Sequence, residues 1–190
     1  MKRAIVFMAL SALFLFSFPA LAQTEQPPID IFGAYSHVSN FDVGQSGWLA
    51  SANYDVNDWF GLEGDLSGNY GQKEFAVATL LPGVPEKINS RMHSFNAGPR
   101  ITWRESSGRI NAFGHVLFGF SHTNVNAAGA GDSDTSFSWA LGGAGDYYFV
   151  PKFGARLQLD LLRTNFFSKG DTHPRVAIGL VYRLGNRDNY

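Results

Sequence analysis

Two stretches near the end of the sequence alternate, residue by residue, between apolar and polar or small side chains. In residues 153–166 the apolar side chains share one face, which carries Ala155, Leu157, Leu159 and Leu161. The opposite face is mainly polar and carries Arg156, Gln158, Asp160 and Thr164. Residues 175–185 alternate in the same way. A period of two sustained over about ten residues is typical of a strand that crosses a bilayer, because strands of soluble proteins usually have about five or six residues.

The N-terminal segment has the three parts of a Sec-type signal peptide. Lys2 and Arg3 are basic, residues 4–18 are apolar, and Ala20-Leu21-Ala22 forms an A-x-A cleavage site. The apolar run is too short for a spanning helix. We therefore predict a signal peptide over residues 1–22, cleaved after Ala22, followed by one domain over residues 23–190.

The composition agrees with a membrane protein built of strands. Aromatic residues make up 15% of the chain and glycines number 21, whereas charged residues make up 16%, below the roughly 25% of soluble domains. The mean hydropathy is −0.09. The chain has no cysteine, which excludes disulfides and a lipidated cysteine anchor. A formal net charge of −1 gives no reason to expect nucleic-acid binding.

Eight alternating stretches follow the predicted signal peptide, at residues 29–38, 47–56, 60–70, 91–103, 110–122, 136–149, 153–166 and 175–185. The connections alternate between short ones (56–59, 104–109, 149–152) and longer ones (39–46, 71–90, 123–135, 167–174). Short turns at one end and long loops at the other are typical of outer-membrane barrels. We predict an all-β fold, an eight-stranded antiparallel up-and-down transmembrane β-barrel. A soluble β-sandwich would need neither such long strands nor this regular alternation of connections.

The closing stretch Gly179-Leu180-Val181-Tyr182-Arg183-Leu184 resembles the C-terminal signal that the barrel-assembly machinery reads, with Gly179, Tyr182 and Leu184 as its key residues. The chain after residue 22 is similar to small eight-stranded outer-membrane barrels, such as the membrane domain of outer membrane protein A and outer membrane protein X. This resemblance implies a location in the bacterial outer membrane and transfers no catalytic residue. We expect contacts with outer-membrane lipid and lipopolysaccharide, with periplasmic chaperones and with the assembly machinery, and we expect a monomer.

Charged residues on the inward faces need partners. Eight strands leave an interior that side chains fill, and an unpaired buried charge is very costly. Hairpin counting predicts three inward pairs: Glu63 with Arg100, Asp146 with Arg156, and Asp30 with Arg183. The first pair assumes that Phe60 lies opposite Trp103, and the second assumes a turn centred on Pro151. The third assumes that the last strand closes onto the first.

Asp160 is expected to lie between Gly142 and Gly179 and to reach across the interior toward His115. We interpret the inward charges, His115 and Asp160 included, as a structural polar network. The alternative is a catalytic acid–base cluster or an ion path, built from Glu63, Asp65, His115 and Asp160. A packed polar interior accounts for the same residues without access for a substrate.

One short motif suggests a different chemistry. His37-Val38-Ser39-Asn40 resembles the His-x-Ser-Asn of lipid A 3-O-deacylases, and a strand places His37 and Ser39 on one face. The motif lies on the first strand rather than near the C-terminus, and the downstream Asn-Pro-Gly element of that family is missing. The plain interpretation is a group of polar residues at the start of a loop.

No cofactor, metal or catalytic residue is predicted. The sequence has no HExxH and no phosphate-binding glycine loop, and the segment 129–134 lacks the ligand count of a calcium loop. We expect a non-enzymatic barrel with a role in the envelope or in interactions through its loops. A narrow porin is the second hypothesis and a lipid A-modifying enzyme the third.

Overall fold

A computed structural model describes residues 29–39, 44–76, 85–127, 130–166 and 170–185. They form eight antiparallel strands, each paired with the next, and β8 pairs with β1 to close a barrel. The strands are β1 (Ile29–Val38), β2 (Gln45–Asp55), β3 (Phe60–Ala76), β4 (Pro85–Arg104), β5 (Ile110–Ala127), β6 (Ala130–Val150), β7 (Phe153–Thr164) and β8 (Asp171–Leu184). Among the described residues, no helix has the length and apolar character to span a bilayer.

The strands are staggered around the barrel. Starting from Asp55, the line of directly paired residues leads back to Gln45 of the same strand, after passing Gly61, Arg100, His115, Gly142, Asp160, Arg175 and Val38. One circuit therefore shifts the register by ten residues, from Asp55 to Gln45. Eight strands with this stagger tilt by about 35–45° from the barrel axis and leave an interior that side chains can fill.

Side chains alternate between the interior and the outer wall as the period of two predicts. The burial pattern of β7 alternates strictly along its length. Leu157 on the outer wall is 51% exposed, whereas its neighbour Gln158 is completely buried. In a closed barrel the buried face is the lumen, so the exposed apolar side chains of this strand face lipid.

The outer wall changes from apolar to polar at one level. The aromatic side chains of Phe95, Phe120 and Phe137 form a row across β4, β5 and β6. One step further along the same strands, on the same face, the row consists of His93, His122 and Thr135. We take this step as the edge of the apolar band, because a bilayer core requires apolar outward side chains.

Four strands continue beyond that edge. β3, β4, β5 and β6 have 17, 20, 18 and 21 residues, whereas a bilayer needs about 9–11 tilted residues. Pairing of β2 with β3 extends to Tyr70 of β3, and pairing of β7 with β6 begins at Ser138 of β6. Beyond the edge of the apolar band the four strands form a sheet of their own, the projecting sheet, which comprises residues 71–76, 85–90, 123–127 and 130–134.

The structure has the projecting sheet where the sequence predicts two loops. The predicted loops 71–90 and 123–135 are largely strand, with paired residues from Gly71 and Ser90 to Ala76 and Pro85 and from Thr123 and Asp134 to Ala127 and Ala130. Outside the bilayer both faces of a strand meet water. The apolar–polar alternation that identifies a membrane strand therefore ends, while the backbone pairing continues.

The other strand bounds agree closely with the sequence. The first strand is confirmed at both ends, and β2, β7 and β8 begin or end one to four residues from the predicted positions. Turn-forming residues lie at two of the short connections: Asn57 Oδ1 accepts from the backbone N–H groups of Trp59 and Phe60, and Gly108 adopts a left-handed φ of 68°, which favours glycine. The predicted signal peptide and residues 186–190 lie outside the described residues.

The predicted register of β3 and β4 is wrong by two residues. Phe60 lies opposite Ile101 rather than Trp103, so Gly61 faces Arg100 and Glu63 faces Gly98. A shift of two keeps every side chain on its predicted face, which explains why the inward assignments survive.

The facing of β7 yields a first prediction. Leu157→Arg places a charge against lipid and is expected to reduce barrel stability by about 2–4 kcal/mol if the site is near the bilayer midplane. Leu157→Met is the matched control, because it changes shape while staying apolar. Urea unfolding of barrels folded into lipid vesicles measures both. Equal stabilities for the two variants would show that this face does not meet lipid.

Candidate functional site

The densest cluster of functional groups lies inside the barrel. Five buried carboxylates belong to this cluster, those of Asp30, Glu63, Asp65, Asp146 and Asp160; a sixth, that of Asp55, is paired with Arg104 near the short turns. The cationic groups among them are equally buried and belong to Arg100, Arg156, Arg175, Arg183 and, when doubly protonated, His115. With that protonation the cluster is electrically neutral, which a low-dielectric interior favours strongly.

Two of the predicted pairs are confirmed. Asp146 lies opposite Arg156, and the guanidinium donates from Nε and Nη2 to the two carboxylate oxygens at 2.6 and 3.0 Å. This two-pronged contact is the strongest form of an arginine–carboxylate pair. Asp30 lies opposite Arg183, whose Nε donates to Asp30 Oδ1 at 3.2 Å. The second pair joins the first strand to the last and helps to close the barrel.

Arg175 is the central cation that sequence reasoning left without a partner. Its Nη2 lies 2.6 Å from Asp65 Oδ2 and 2.6 Å from Asp160 Oδ2. Asp160 is its direct neighbour on β7, whereas Asp65 is on β3, across the lumen. The alternation on β8 indicates that Arg175 faces inward, but a contact across the lumen depends on the stagger of the whole barrel.

His115 lies between two carboxylates. Its Nδ1 is 2.9 Å from Glu63 Oε2 and its Nε2 is 3.0 Å from Asp160 Oδ1. Both acceptors are satisfied when both ring nitrogens carry hydrogen. The predicted reach of Asp160 toward His115 is confirmed. Its predicted neighbour Gly179 is not, because the β8 residue opposite Asp160 is Arg175.

Gly142 creates the space for this contact. It pairs with both His115 and Asp160, so it lies between them on β6. A Cβ atom at this position would overlap the Asp160 carboxylate and the backbone of β7. Glycine is required here by close approach rather than by backbone conformation.

Arg100 occupies the middle of the cluster without a short ion pair. Its nitrogens lie 3.8 Å from Asp30, 3.9 Å from Glu63 and 3.9 Å from Asp146, and its guanidinium stacks on Phe113 at 3.5 Å. The predicted Glu63–Arg100 pair therefore exists as a longer ion pair. Because the register is shifted by two, the closest partner of Glu63 is His115.

Apolar side chains fill the remaining lumen. Five residues pack together at the end that carries the projecting sheet, with Phe166 against them: Val38, Met92, Leu117, Ala140 and Leu162. A second group packs on the side of β1, β2 and β8: Phe32, Leu49, Tyr148, Ala177 and Val181. Leu117 and Leu162 are completely buried. The interior is thus a packed core of charges between apolar clusters.

This packing bears on catalysis and on metal binding. The side chains of Glu63, His115 and Asp160 have no exposed surface, so they lack the access that an acid–base cluster needs. His37 on the outer wall contacts Ser46, with 3.0 Å between Nδ1 and Oγ, and Ser39 is not its hydrogen-bonding partner. No group of three metal-ligating side chains with suitable geometry occurs in the described part of the chain.

The architecture can be compared with known proteins. The family described as "Outer membrane protein beta-barrel domain" matches residues 8–183. The chain belongs to this family. Its members' location places the protein in the bacterial outer membrane. A comparison with curated protein sequences gives no match.

Solved structures of small outer-membrane barrels share the fold. The attachment invasion locus protein Ail of Yersinia pestis is 18% identical, with a TM-score of 0.55, over 85% of this chain and 100% of that one. The outer membrane protein OprG of Pseudomonas aeruginosa is 13% identical, with a TM-score of 0.56, over 85% and 98%. Neisserial surface protein A is 12% identical, with a TM-score of 0.53, over 84% and 96%.

The residues of the predicted assembly signal lie on β8 of this family barrel. Gly179 faces inward opposite Arg156, and Tyr182 packs against Phe153 with 4.6 Å between ring centroids. Leu184 is exposed at the end of the strand. Recognition of these residues by the assembly machinery stays a prediction.

The Arg156–Asp146 pair yields a second prediction. Arg156→Met and Asp146→Asn, each alone, leave one buried charge without its closest partner, and each is expected to cost about 3–5 kcal/mol of unfolding free energy. The double variant is expected to lose clearly less than the sum, because both charges are removed together.

Urea unfolding of all four proteins in detergent micelles measures this coupling. Arg109→Met is the control, because Arg109 is exposed in a turn and its loss should change stability by less than about 0.5 kcal/mol. Strictly additive losses at positions 146 and 156 would contradict the coupling.

Proposed function

We propose that this protein is a non-enzymatic outer-membrane barrel that anchors the projecting sheet outside the cell, where the sheet binds a partner. The observation that carries the proposal is the length of β3 to β6, which continue as a paired sheet past the edge of the apolar band. A barrel that served only to fill the membrane would not need strands of 17–21 residues.

The direction of the sheet follows from the connections. Short turns join β2 to β3, β4 to β5 and β6 to β7, all at the end opposite the projecting sheet. In outer-membrane barrels the short turns lie in the periplasm and the longer connections outside. The projecting sheet is then on the external side.

The outer part of β6 offers a free strand edge. The backbone N–H of Tyr148 donates to the backbone carbonyl of Arg109. Because hydrogen-bonded pairs alternate along an antiparallel ladder, the backbone groups of even-numbered β6 residues point toward β5. Those of odd-numbered β6 residues point away from β5. Between 130 and 137, no described strand pairs with the far side of β6. The N–H of Ser133 on that side donates to the side chain of Asp132 at 2.8 Å. Such an edge can accept an extended segment of a partner by strand addition.

One structural neighbour has a ligand in its description. Ail of Yersinia pestis has been crystallised in complex with the heparin analogue sucrose octasulfate, at 18% identity to this chain. At that identity the likeness concerns the fold, so the complex only supplies heparin as a first probe for the proposed surface.

The packed lumen argues against the narrow porin. Arginine pairs and apolar clusters fill the interior, and a porin needs a continuous wet path. We therefore expect no steady, large conductance when the purified barrel is inserted into planar bilayers. A stable open channel in single-channel recordings would instead support the porin.

The proposed interaction surface can be removed without touching the barrel. Gly71 pairs with Ser90, and Thr123 pairs with Asp134. Replacing the residues between each pair by Asn-Gly should give two tight hairpins, because this dipeptide favours the two-residue turn that joins antiparallel strands. The trimmed barrel should fold, as a mobility shift between unboiled and boiled samples in SDS gels will show.

Cells that display the full or the trimmed chain are compared for adherence to heparin-coated and uncoated surfaces and for aggregation with one another. We expect the full chain to promote adherence or aggregation, and the trimmed chain to fall to the level of the empty vector. Ser133→Pro, which removes an outward edge N–H and puts a proline ring on the edge, should weaken binding by strand addition, whereas Ser133→Ala should not. A trimmed chain that still promotes adherence would contradict the proposal.

A further inference from the structure

A polar strip crosses the outer wall directly above the apolar band. It consists of Arg91 and His93 on β4, His122 on β5, Tyr70 on β3 and Thr135 on β6, and we call it the histidine strip. His93 lies opposite His122, Tyr70 lies opposite Arg91, and His122 lies opposite Thr135. All five side chains point outward and are exposed. The strip lies outside the lumen, and Thr135 is its one residue on the part of β6 that has no described β7 partner.

Neighbouring side chains fix the two imidazole rings. His122 Nδ1 lies 2.8 Å from Thr135 Oγ1, and the Nε2 atom on the far side of that ring is directed away from this contact. The ring of His93 meets Tyr70 edge-on, with 5.7 Å between centroids and 77° between planes. The strip therefore presents two oriented imidazole rings next to the guanidinium of Arg91.

The strip carries the Arg91 cation, and the two rows of paired outward residues that form it contain no acidic residue. The paired outward residues in its two rows are Gly68, His93, His122 and Thr135, followed by Tyr70, Arg91, Asn124 and Ser133. The side chains of Asp132 and Asp134 lie on the opposite face of the sheet, because successive side chains of a strand point to opposite faces. Within the described part of the chain, no carboxylate pairs with Arg91. Donors without a compensating anion match an anionic ligand, and the Arg91 charge disfavours a metal cation between the histidines.

The level of the strip indicates where that anion comes from. His93 and His122 are one outward step above Phe95 and Phe120, so they follow directly on the last aromatic side chains of the apolar band. Lipid headgroups begin where the hydrocarbon ends, and basic side chains at this level contact anionic headgroups. A ligand bound at this level lies beside the acyl chains, and this location favours a lipid headgroup over a soluble anion.

We propose that the histidine strip binds a phosphate group in the headgroup of an outer-leaflet lipid, the class to which lipopolysaccharide belongs. Arg91 supplies the charge, His93 and His122 donate ring N–H groups to the phosphate oxygens, and Phe95 and Phe120 contact the acyl chains below. The site needs the barrel wall alone, so it stands apart from the partner of the projecting sheet.

The test uses the folded protein in detergent micelles, titrated with lipopolysaccharide, with bound lipid counted by native mass spectrometry. Arg91→Gln should weaken binding about fivefold, as expected for one basic residue near a charged surface. The triple variant Arg91→Gln, His93→Asn, His122→Asn should weaken it by more than about tenfold. Arg109→Gln, an equal loss of charge at the opposite end of the barrel, should leave binding within about twofold of the wild type.

Two further arms identify the ligand group. Lipopolysaccharide stripped of its phosphates should bind to the wild type about as weakly as intact lipopolysaccharide binds to the triple variant. Inorganic phosphate in excess should not displace the bound lipid. The proposal is overturned if the triple variant binds like the wild type, if dephosphorylated lipid binds equally well, or if inorganic phosphate displaces the lipid. Unboiled and boiled gel mobilities verify folding, and Arg91→Gln alone remains a sufficient test if the triple variant misfolds.

Discussion

The backbone must satisfy its own hydrogen bonds inside a bilayer, and the rest of this structure depends on that requirement. Strands can meet it only as a closed ring, because an open edge would leave N–H and C=O groups facing hydrocarbon. Eight strands staggered by ten residues are the solution seen here, and that combination sets the width of the lumen. The interior must then be filled by whatever side chains alternate inward.

The interior is filled with charges, and their balance makes this possible. A single buried carboxylate is costly, but five carboxylates among four arginines and a histidine form a neutral cluster with contacts as short as 2.6 Å. The apolar clusters at its margins keep it apart from bulk water. The same packing fills the lumen, so the two binding sites that we propose, on the projecting sheet and on the histidine strip, lie on outer surfaces.

A contact between neighbouring strands could be predicted from the sequence where a short connection lies close to it and fixes which residues are paired. Asp146 and Arg156 were paired correctly by counting from Pro151, because the connection between β6 and β7 is short and the register shift between Tyr148 and Val150 leaves this pair at that count. β3 and β4 are joined far from the membrane, so counting from Phe60 had no such reference and missed by two residues.

Two larger features could not be read from the pattern. The contact of Arg175 with Asp65 joins strands that are not neighbours, and only the closed geometry of the whole barrel brings them together. The projecting sheet was mistaken for loops because a strand with water on both faces carries no apolar alternation. In both cases the missing information is long-range or solvent-related, whereas the sequence signal is local.

The position of Arg175 and Arg183 on β8 has a consequence for assembly. Without β8, Asp65 has no ion pair among the described residues, and Asp30 and Asp160 each lose their closest arginine. A seven-stranded intermediate would therefore carry uncompensated negative charge into the membrane as well as an open edge. Neutralisation and ring closure arrive with the same strand, so insertion should proceed as one concerted step once the C-terminal segment is in place.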